Sequence, residues 1–211
     1  RTPPVITLKG ITPFEWEAGT PYVDPGATAY DLISSAAVLN SNMVGTPFIN
    51  ILATTDSQRP YSYCYTTKDA AGNTAPTVCR DVVIVDRTPP AITLIGPAVF
   101  ILEAGQQYND PGATAYDIVD LDVTYKLTDS YTGTQLNNVV PGFYTLTYRV
   151  QDRHGNVGFK NRTINVVDTT RPVIRLLPDG AASAVMTWEG GSPFPYKAEA
   201  TDIVDDKQTL T

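Results

Sequence analysis

Of 211 residues, two are cysteine and one is histidine, and that scarcity removes most catalytic chemistry at the outset. With His154 as the sole imidazole there is no HExxH zinc site, and neither a GxSxG elbow nor a phosphate-cradling glycine-rich loop before a helix occurs. The sequence therefore reads as non-catalytic. Positive charge is also scarce: 15 Lys+Arg stand against 22 Asp+Glu, giving a net charge of −7 and a pI near 4.6. A basic footprint for nucleic acid or an anionic membrane is missing, so neither is expected as a partner. No apolar run approaches the roughly 18 residues that span a bilayer, and no charged-then-apolar amino-terminal segment reads as a signal peptide. A 3.6-residue apolar period long enough for a helix is likewise absent.

What is present is repetition. VDPGATAYD at Val23–Asp31 returns as NDPGATAYD at Asn109–Asp117, and RTPPVITL at Arg1–Leu8 returns as RTPPAITL at Arg87–Leu94, both 86 residues on. A third copy opens at Arg171–Leu176, repeats the Glu-x-Gly signal at Glu189 and Gly191, and reaches ATDIVDD at Ala200–Asp206. A fixed period of this length signals an array of small modules. The expected units are 1–86, 87–168 and a partial third, 169–211; starting at Arg1 and stopping inside a pattern, the sequence reads as a piece of something longer. Units of about 85 residues are large enough to bury a core without a metal.

Within each unit the signals are strand and turn. Thr-Pro-Pro forces extended backbone ahead of an alternating strand, Ile6 and Leu8 or Ile92 and Leu94. A short strand follows, Phe14-Glu-Trp16 or Phe100-Ile-Leu102, closed by Glu-Ala-Gly. Asp-Pro-Gly supplies a type II turn, Pro fixing φ and Gly accepting a positive one, and the small Ala27 and Ala29 (Ala113 and Ala115) behind it let two sheets approach. Val123, Tyr125 and Leu127 alternate as a further strand of the second unit, whereas 34–58 of the first reads as loops. A closing hairpin places Tyr144, Leu146, Tyr148 and Val150 on one face with Ile164 and Val166 opposite. Turn signals every 8–12 residues predict an all-β sandwich.

Strand parity relates the two cysteines. Tyr61, Tyr63 and Tyr65 alternate inward, as do Val82 and Ile84, with the turn Asp69–Asn73 between them. Cys64 and Cys79 then share the outward face of one hairpin, and a cross-strand disulfide is expected, contributing about 3 kcal/mol; two free surface thiols are the alternative. The second unit carries Thr147 and Asn161 there, so the bridge supplements the fold.

The order PPxITLxG, ExG, Y-x-DPGATAxD, GxYTLTYRVxDxxGN and TxxVxD resembles the bacterial-type immunoglobulin-like repeat, found in tandem on surface and secreted proteins, in some toxins and in long eukaryotic extracellular or fibre proteins. The resemblance covers Arg1–Asp168 well and Thr169–Thr211 in part, the third copy having PYKAEATD where DPGATAYD should stand. It implies tandem immunoglobulin-like β-sandwich domains joined by short proline-containing linkers, an extracellular or cell-surface location, and a spacer or adhesive use with no fixed chemistry.

Candidate sites are few. Asp117, Asp120 and Asp122 follow the DPGATA turn, and Asp202, Asp205 and Asp206 sit similarly in the third copy. Calcium takes six to eight hard oxygens, and close aspartates supply several, with Glu103, Asp110 or Asp152 as additions. A solvated acidic loop is the competing reading, since the first copy has Ser34 and Ser35 after Asp31. No other cofactor is implied. Asp152 with Asn156, like Asp69 with Asn73, reads as a turn-former, and His154 as a solvent-facing turn residue. Asn161-Arg-Thr163 is the one N-glycosylation sequon. Asn40, Asn42, Phe48 and Tyr131 in the loops 34–58 and 129–141 are the contacts an adhesive use would employ. The favoured reading is a structural spacer whose partners are neighbouring modules of the same chain, with lateral packing into a filament or surface assembly as an open extension; an adhesive glycan- or protein-binding module and an accessory domain of a secreted enzyme are the alternatives. Its mechanism lies in the joints Asp86–Pro90 and Asp168–Pro172, where proline restricts a few residues to extended conformations.

Overall fold

Thr-Pro-Pro starts an extended run at each repeat. The first strand, β1 (Val5–Leu8), is followed by β2 (Phe14–Glu17), β3 (Ala27–Tyr30), a short helix α1 (Ala36–Ser41), β4 (Val44–Gly45), β5 (Tyr61–Thr66) and β6 (Val78–Val85). The second copy runs β7 (Ala91–Leu94), β8 (Val99–Glu103), β9 (Ala113–Asp117), β10 (Leu121–Asp122), a 3-10 turn at Thr124–Lys126, β11 (Thr128–Thr132), β12 (Gly142–Gln151) and β13 (Val157–Val167). Three strands of the third copy close the chain: β14 (Val173–Leu177), β15 (Lys197–Thr201) and β16 (Gln208–Leu210). This computed structural model describes residues 2–41, 43–45, 49–55, 59–177, 190–191, 197–205 and 208–210; Asn42, Phe48, Glu189 and Asp206 lie outside them.

The architecture is all-β, of immunoglobulin-like sandwich type. In the first copy β1-β3 form one sheet and β2-β6-β5-β4 the other; in the second the sheets are β10-β9-β7 and β11-β12-β13-β8. β2 runs parallel to β6, pairing Phe14 with Val82 and Trp16 with Ile84, and β8 runs parallel to β13 with Phe100 opposite Ile164 and Leu102 opposite Val166. The third copy gives a sheet β14-β15-β16. Gly26 and Gly112 stand at φ +87° and +85°, the left-handed geometry that the third position of the Asp-Pro-Gly turn requires.

Packing groups the chain into two compact units, residues 1–91 with 115–125 and 151–158, and residues 92–114 with 126–150 and 159–211. In the first, Ile6, Ala29, Leu39, Tyr65 and Ala75 form one buried cluster and Ala18, Val82 and Ile84 another. In the second, Leu102, Ala104, Tyr144, Leu146, Tyr148, Ile164 and Val166 form the core. These are the inward positions of alternating strands, and each large apolar side chain removed from water contributes about 1.5–3 kcal/mol.

Two stretches depart from the sequence expectation. Within 34–58 the chain forms a six-residue helix where loops were expected. Its Leu39 is fully buried in the first cluster, and Thr67 Oγ1 donates to the Leu39 carbonyl at 2.7 Å. One anchoring side chain in six residues leaves no period to detect. Val123–Leu127 is not a strand either. Thr124 Oγ1 accepts from the Ala115 N–H at 2.9 Å, and the Asp122 carboxylate accepts from the Thr124 N–H at 2.9 Å, so side chains take the place of ladder bonds and the chain coils into a 3-10 turn. The next strand, β11, carries Tyr131 against the second core, which removes it from the expected loop contacts.

Candidate functional site

Asp86 follows β6, Asp117 ends β9, and Asp152 follows β12. Each carboxylate is anchored by its own turn. Asp117 Oδ1 accepts from the N–H groups of Val119 and Asp120 at 2.8 and 2.9 Å. Asp152 Oδ1 accepts from the N–H groups of His154 and Asn156, both at 2.8 Å, and its Oδ2 takes Asn156 Nδ2 at 2.7 Å. Asn156 Nδ2 also donates to the Asp86 carbonyl at 3.1 Å, and the Asp86 carboxylate caps the Thr88 N–H at 3.2 Å.

These anchors converge within the first compact unit. Carboxylate oxygens of Asp86 and Asp152 and a ring nitrogen of His154 lie within 4.8 Å of one another. His154 sits on its turn as the sequence suggested, but both ring nitrogens are engaged: Nδ1 is 3.0 Å from Asp86 Oδ2 and Nε2 is 3.1 Å from Thr54 Oγ1. Asp86, Asp117 and Asp152 are all buried. Burial, with the negative charges of Asp117 and Asp152 adding to it, pushes the Asp86 carboxyl above the usual carboxylate range. A cleft lined by Thr54, Thr55, Arg59, Ile84, Asp86 and His154 opens beside the cluster.

The three aspartates singled out from sequence have three different settings. Asp117 is the buried member. Asp120 Oδ2 accepts from the Arg153 N–H at 2.8 Å while its Oδ1 lies 2.8 Å from Arg153 Nε. Asp122 is exposed and turned to the Thr124 N–H. In the third copy the Asp202 carboxylate accepts from the Val204 N–H at 2.9 Å, and Asp205 is exposed. Asp86 was read only as the start of a linker, because the residues it meets lie 31 and 66 positions away in sequence.

A second constellation, repeated in both copies, also escaped the sequence reading. Arg80 and Arg162 are fully buried. Arg80 Nε lies 3.1 Å from Asp24, its other nitrogens donate to the carbonyls of Lys9, Ile11 and Gly26, and Tyr22 and Tyr65 give their hydroxyls to the same Asp24. Arg162, Asp110, Tyr108 and Tyr148 repeat the arrangement, Arg162 reaching the carbonyls of Ile95, Pro97 and Gly112. Burial alone works against a charge on Asp24, but the Tyr22 and Tyr65 hydroxyls, the Gly26 N–H and Arg80 outweigh it and hold the carboxyl below its ordinary range. Burial and the Asp110 carboxylate raise the Tyr148 hydroxyl to about 12. The detectable signal was an arginine at the inward parity of both closing strands, two residues before Val82 and Ile164. These networks tie the Asp-Pro-Gly turn to the sheet and are structural.

Cys64 and Cys79 are directly paired across β5 and β6, and their sulfurs are bonded. Asn161 is exposed on β13, its side-chain oxygen accepting from Thr147 Oγ1 at 3.0 Å. No helix among the described residues is long and apolar enough to cross a membrane.

Residues 92–166 match the family described as bacterial surface protein, Ig-like domain. An immunoglobulin-like family and an extracellular or cell-surface setting are thereby supported. The chain is 34% identical over 190 residues to a hyalin of Lytechinus variegatus, covering 82% of this chain and 33% of that protein. It is 32% identical over 189 residues to a hyalin of Strongylocentrotus purpuratus, covering 82% of this chain and 14% of that one. The chain thus spans a third or less of the curated relatives it matches. Among solved structures, a lipoprotein of Bacteroides thetaiotaomicron aligns at 22% identity over 53% of this chain and 54% of its own, with a TM-score of 0.33. A protocadherin gammaB7 fragment aligns at 16% over 95% and 61%, with a TM-score of 0.36.

Proposed function

We propose that the chain is a non-catalytic structural segment of an extracellular or surface protein, a run of tandem modules that sets reach and stiffness. The coarser reading, a structural or adhesive surface module, follows from the immunoglobulin-like match. One recurrent observation supports the finer one. After the DPGATA strand the second copy carries Ile118-Val119 and the third Ile203-Val204. In the first compact unit Ile118 packs directly over Gly19, and Val119 against Ala18, Val82 and Ile84. In the second, Ile203 packs over Gly105 and Val204 against the core that includes Leu102 and Ala104. A side chain larger than hydrogen at Gly19 or Gly105 would collide with these isoleucines, which gives the Glu-Ala-Gly signal its physical reason.

A polar clamp accompanies each apolar seat. Glu17 accepts from the Arg87 N–H at 2.9 Å and the Thr88 hydroxyl at 2.7 Å; Glu103 accepts from the Thr169 N–H at 2.8 Å and from the Thr169 and Thr170 hydroxyls at 2.9 and 2.8 Å. Both linkers are thus fastened to the second strand of the copy they leave, β2 or β8, on top of the restriction proline imposes. Lateral assembly into a fibre extends the same reading, its partners being copies of such modules.

Small-angle scattering of the whole chain tests it. An elongated particle of narrow size distribution is expected, broadening when Val119 and Val204 are both changed to Asp. A distribution already broad in the parent, or one indifferent to both substitutions, overturns the spacer reading. Specific glycan or protein capture by the first unit, lost on substitution of exposed Asn40, would instead favour the adhesive alternative.

A further inference from the structure

Asn161 opens the chain's one Asn-x-Thr sequence, and the structure gives it a setting that the spacer reading does not use. It lies on β13, an interior strand of the sheet β11-β12-β13-β8. Alternation turns Asn161 and Thr163 to the outward face, while the intervening Arg162 points inward and is fully buried. Asn161 is exposed. Its Oδ1 accepts from Thr147 Oγ1 at 3.0 Å, and its Nδ2 has no hydrogen-bond partner among the described residues. With the oxygen held, the nitrogen is the open end of the side chain, and nitrogen is the atom that carries an N-linked sugar.

The same outward face is apolar around this point. Val99, Ile101, Phe143 and Phe159 stand on it, each more than half exposed. Phe159 is one same-face step from Asn161, about 7 Å along the strand, and the Arg149 guanidinium lies 6.0 Å from the centre of its ring. Val99 pairs with Thr163 and Ile101 with Asn165, the next two steps in the other direction. Exposed apolar side chains gathered on one face mark a surface that something covers. The first copy supplies the contrast. At the aligned positions it has Pro13, Glu15, Pro60 and Thr77, and the Cys64–Cys79 bond stands where Thr147 and Asn161 do. The copy with an attachment point has the apolar surroundings; the copy without one lacks them.

We propose that Asn161 is an N-glycosylation site and that the first sugars of its glycan lie over this face, against Phe159 and the aliphatic side chains beside it. The donor is an oligosaccharide held on a lipid diphosphate through the anomeric carbon of an N-acetylglucosamine. Asn161 Nδ2 attacks that carbon, a C–N bond forms as the C–O bond to the diphosphate breaks, the lipid diphosphate leaves, and Nδ2 gives up one proton to the transferase. Because β13 lies between β12 and β8, the transfer precedes closure of the sheet, and the folded face then has to accommodate the product. The C–H face of a pyranose sheds water against aromatic and aliphatic side chains, so the glycan covers surface that the protein leaves open. This inference requires an extracellular chain and holds whether the modules are spacers or adhesive units.

The test uses the whole chain secreted from cultured eukaryotic cells, analysed by mass spectrometry before and after peptide N-glycosidase. A glycan is expected on most molecules, with position 161 showing the deamidation that this enzyme leaves. Asn161→Gln and Thr163→Ala should remove it, and Thr163→Ser should keep it. In calorimetry the transition of the second unit should lie a few degrees higher with the glycan than after its enzymatic removal. That shift should be largely lost in Phe159→Ala, which keeps the attachment sequence and is compared with its own deglycosylated form, so that a cost to folding cancels. A secreted, folded chain unmodified at Asn161 overturns the proposal. So does a glycan whose removal leaves the transition in place, or a shift that Phe159→Ala leaves intact.

Discussion

The same corner is built twice with different company. At Asp31 and at Asp117 one carboxylate oxygen accepts two successive backbone N–H groups, and at Asp69 and Asp152 the hairpin turn is closed by the same Asp–Asn pair. Yet Leu32 and Ile33 in the first copy are 84% and 95% exposed, whereas their counterparts Ile118 and Val119 lie against Gly19 and a buried cluster. Asp152 has Asp86 beside it, and the negative charge of Asp117 also acts on the Asp86 carboxyl. Local sequence writes the turn; the side chains brought against it from elsewhere in the chain decide what it packs on.

The largest expected break in the comparison is covalent. Cys64→Ser with Cys79→Ser should cost the first unit about 3 kcal/mol, while the second, with Thr147 and Asn161 at those places, keeps its transition. Calorimetry checks this, and an equal fall in both units would show that the bridge acts beyond its own hairpin. Next, Val119→Asp should destabilise by about 2 kcal/mol, because it places a charge against Ala18, Val82 and Ile84, whereas Ile33→Asp should stay within about 0.5 kcal/mol. Denaturant melts of the two variants read the difference directly, and equal losses would erase the distinction between the corners.

The smallest effect concerns acid. The Thr169 N–H, then the Thr170 and Thr169 hydroxyls, hold the Glu103 carboxyl below its ordinary value. A depressed carboxyl pKa means that the clamp's contribution is fully present above the unfolded value of about 4.3 and is lost as pH falls through the lower folded one. The Thr169 amide resonance should therefore titrate with a midpoint below the ordinary glutamate value and stop doing so in Glu103→Gln. A midpoint at or above the ordinary glutamate value would remove the clamp.

Much of the fold was legible because it depends on neighbours in sequence. Strand parity put Tyr144, Leu146, Tyr148 and Val150 on one face with Ile164 and Val166 opposite, and all six are buried. Parity also placed Cys64 beside Cys79, and Asp-Pro-Gly gave its turn. What escaped was non-local or too short to have a period: α1 around Leu39, the side-chain capping that coils Thr124–Lys126, and the buried arginines, whose polar identity contradicts the face they occupy until Asp24, Asp110 and the turn carbonyls are seen around them.

By itself, then, the sequence determined local structure: alternation chose strands, and proline and glycine chose turns. Only the tertiary structure decided which distant residues meet. Hydrogen bonds within a turn reach four residues, but Asp86 meets Asp152 and His154, and Ile118 meets Gly19, across separations that only the packed sheets close. Charge repulsion and steric fit fall off over a few ångströms of space and take no account of distance along the chain.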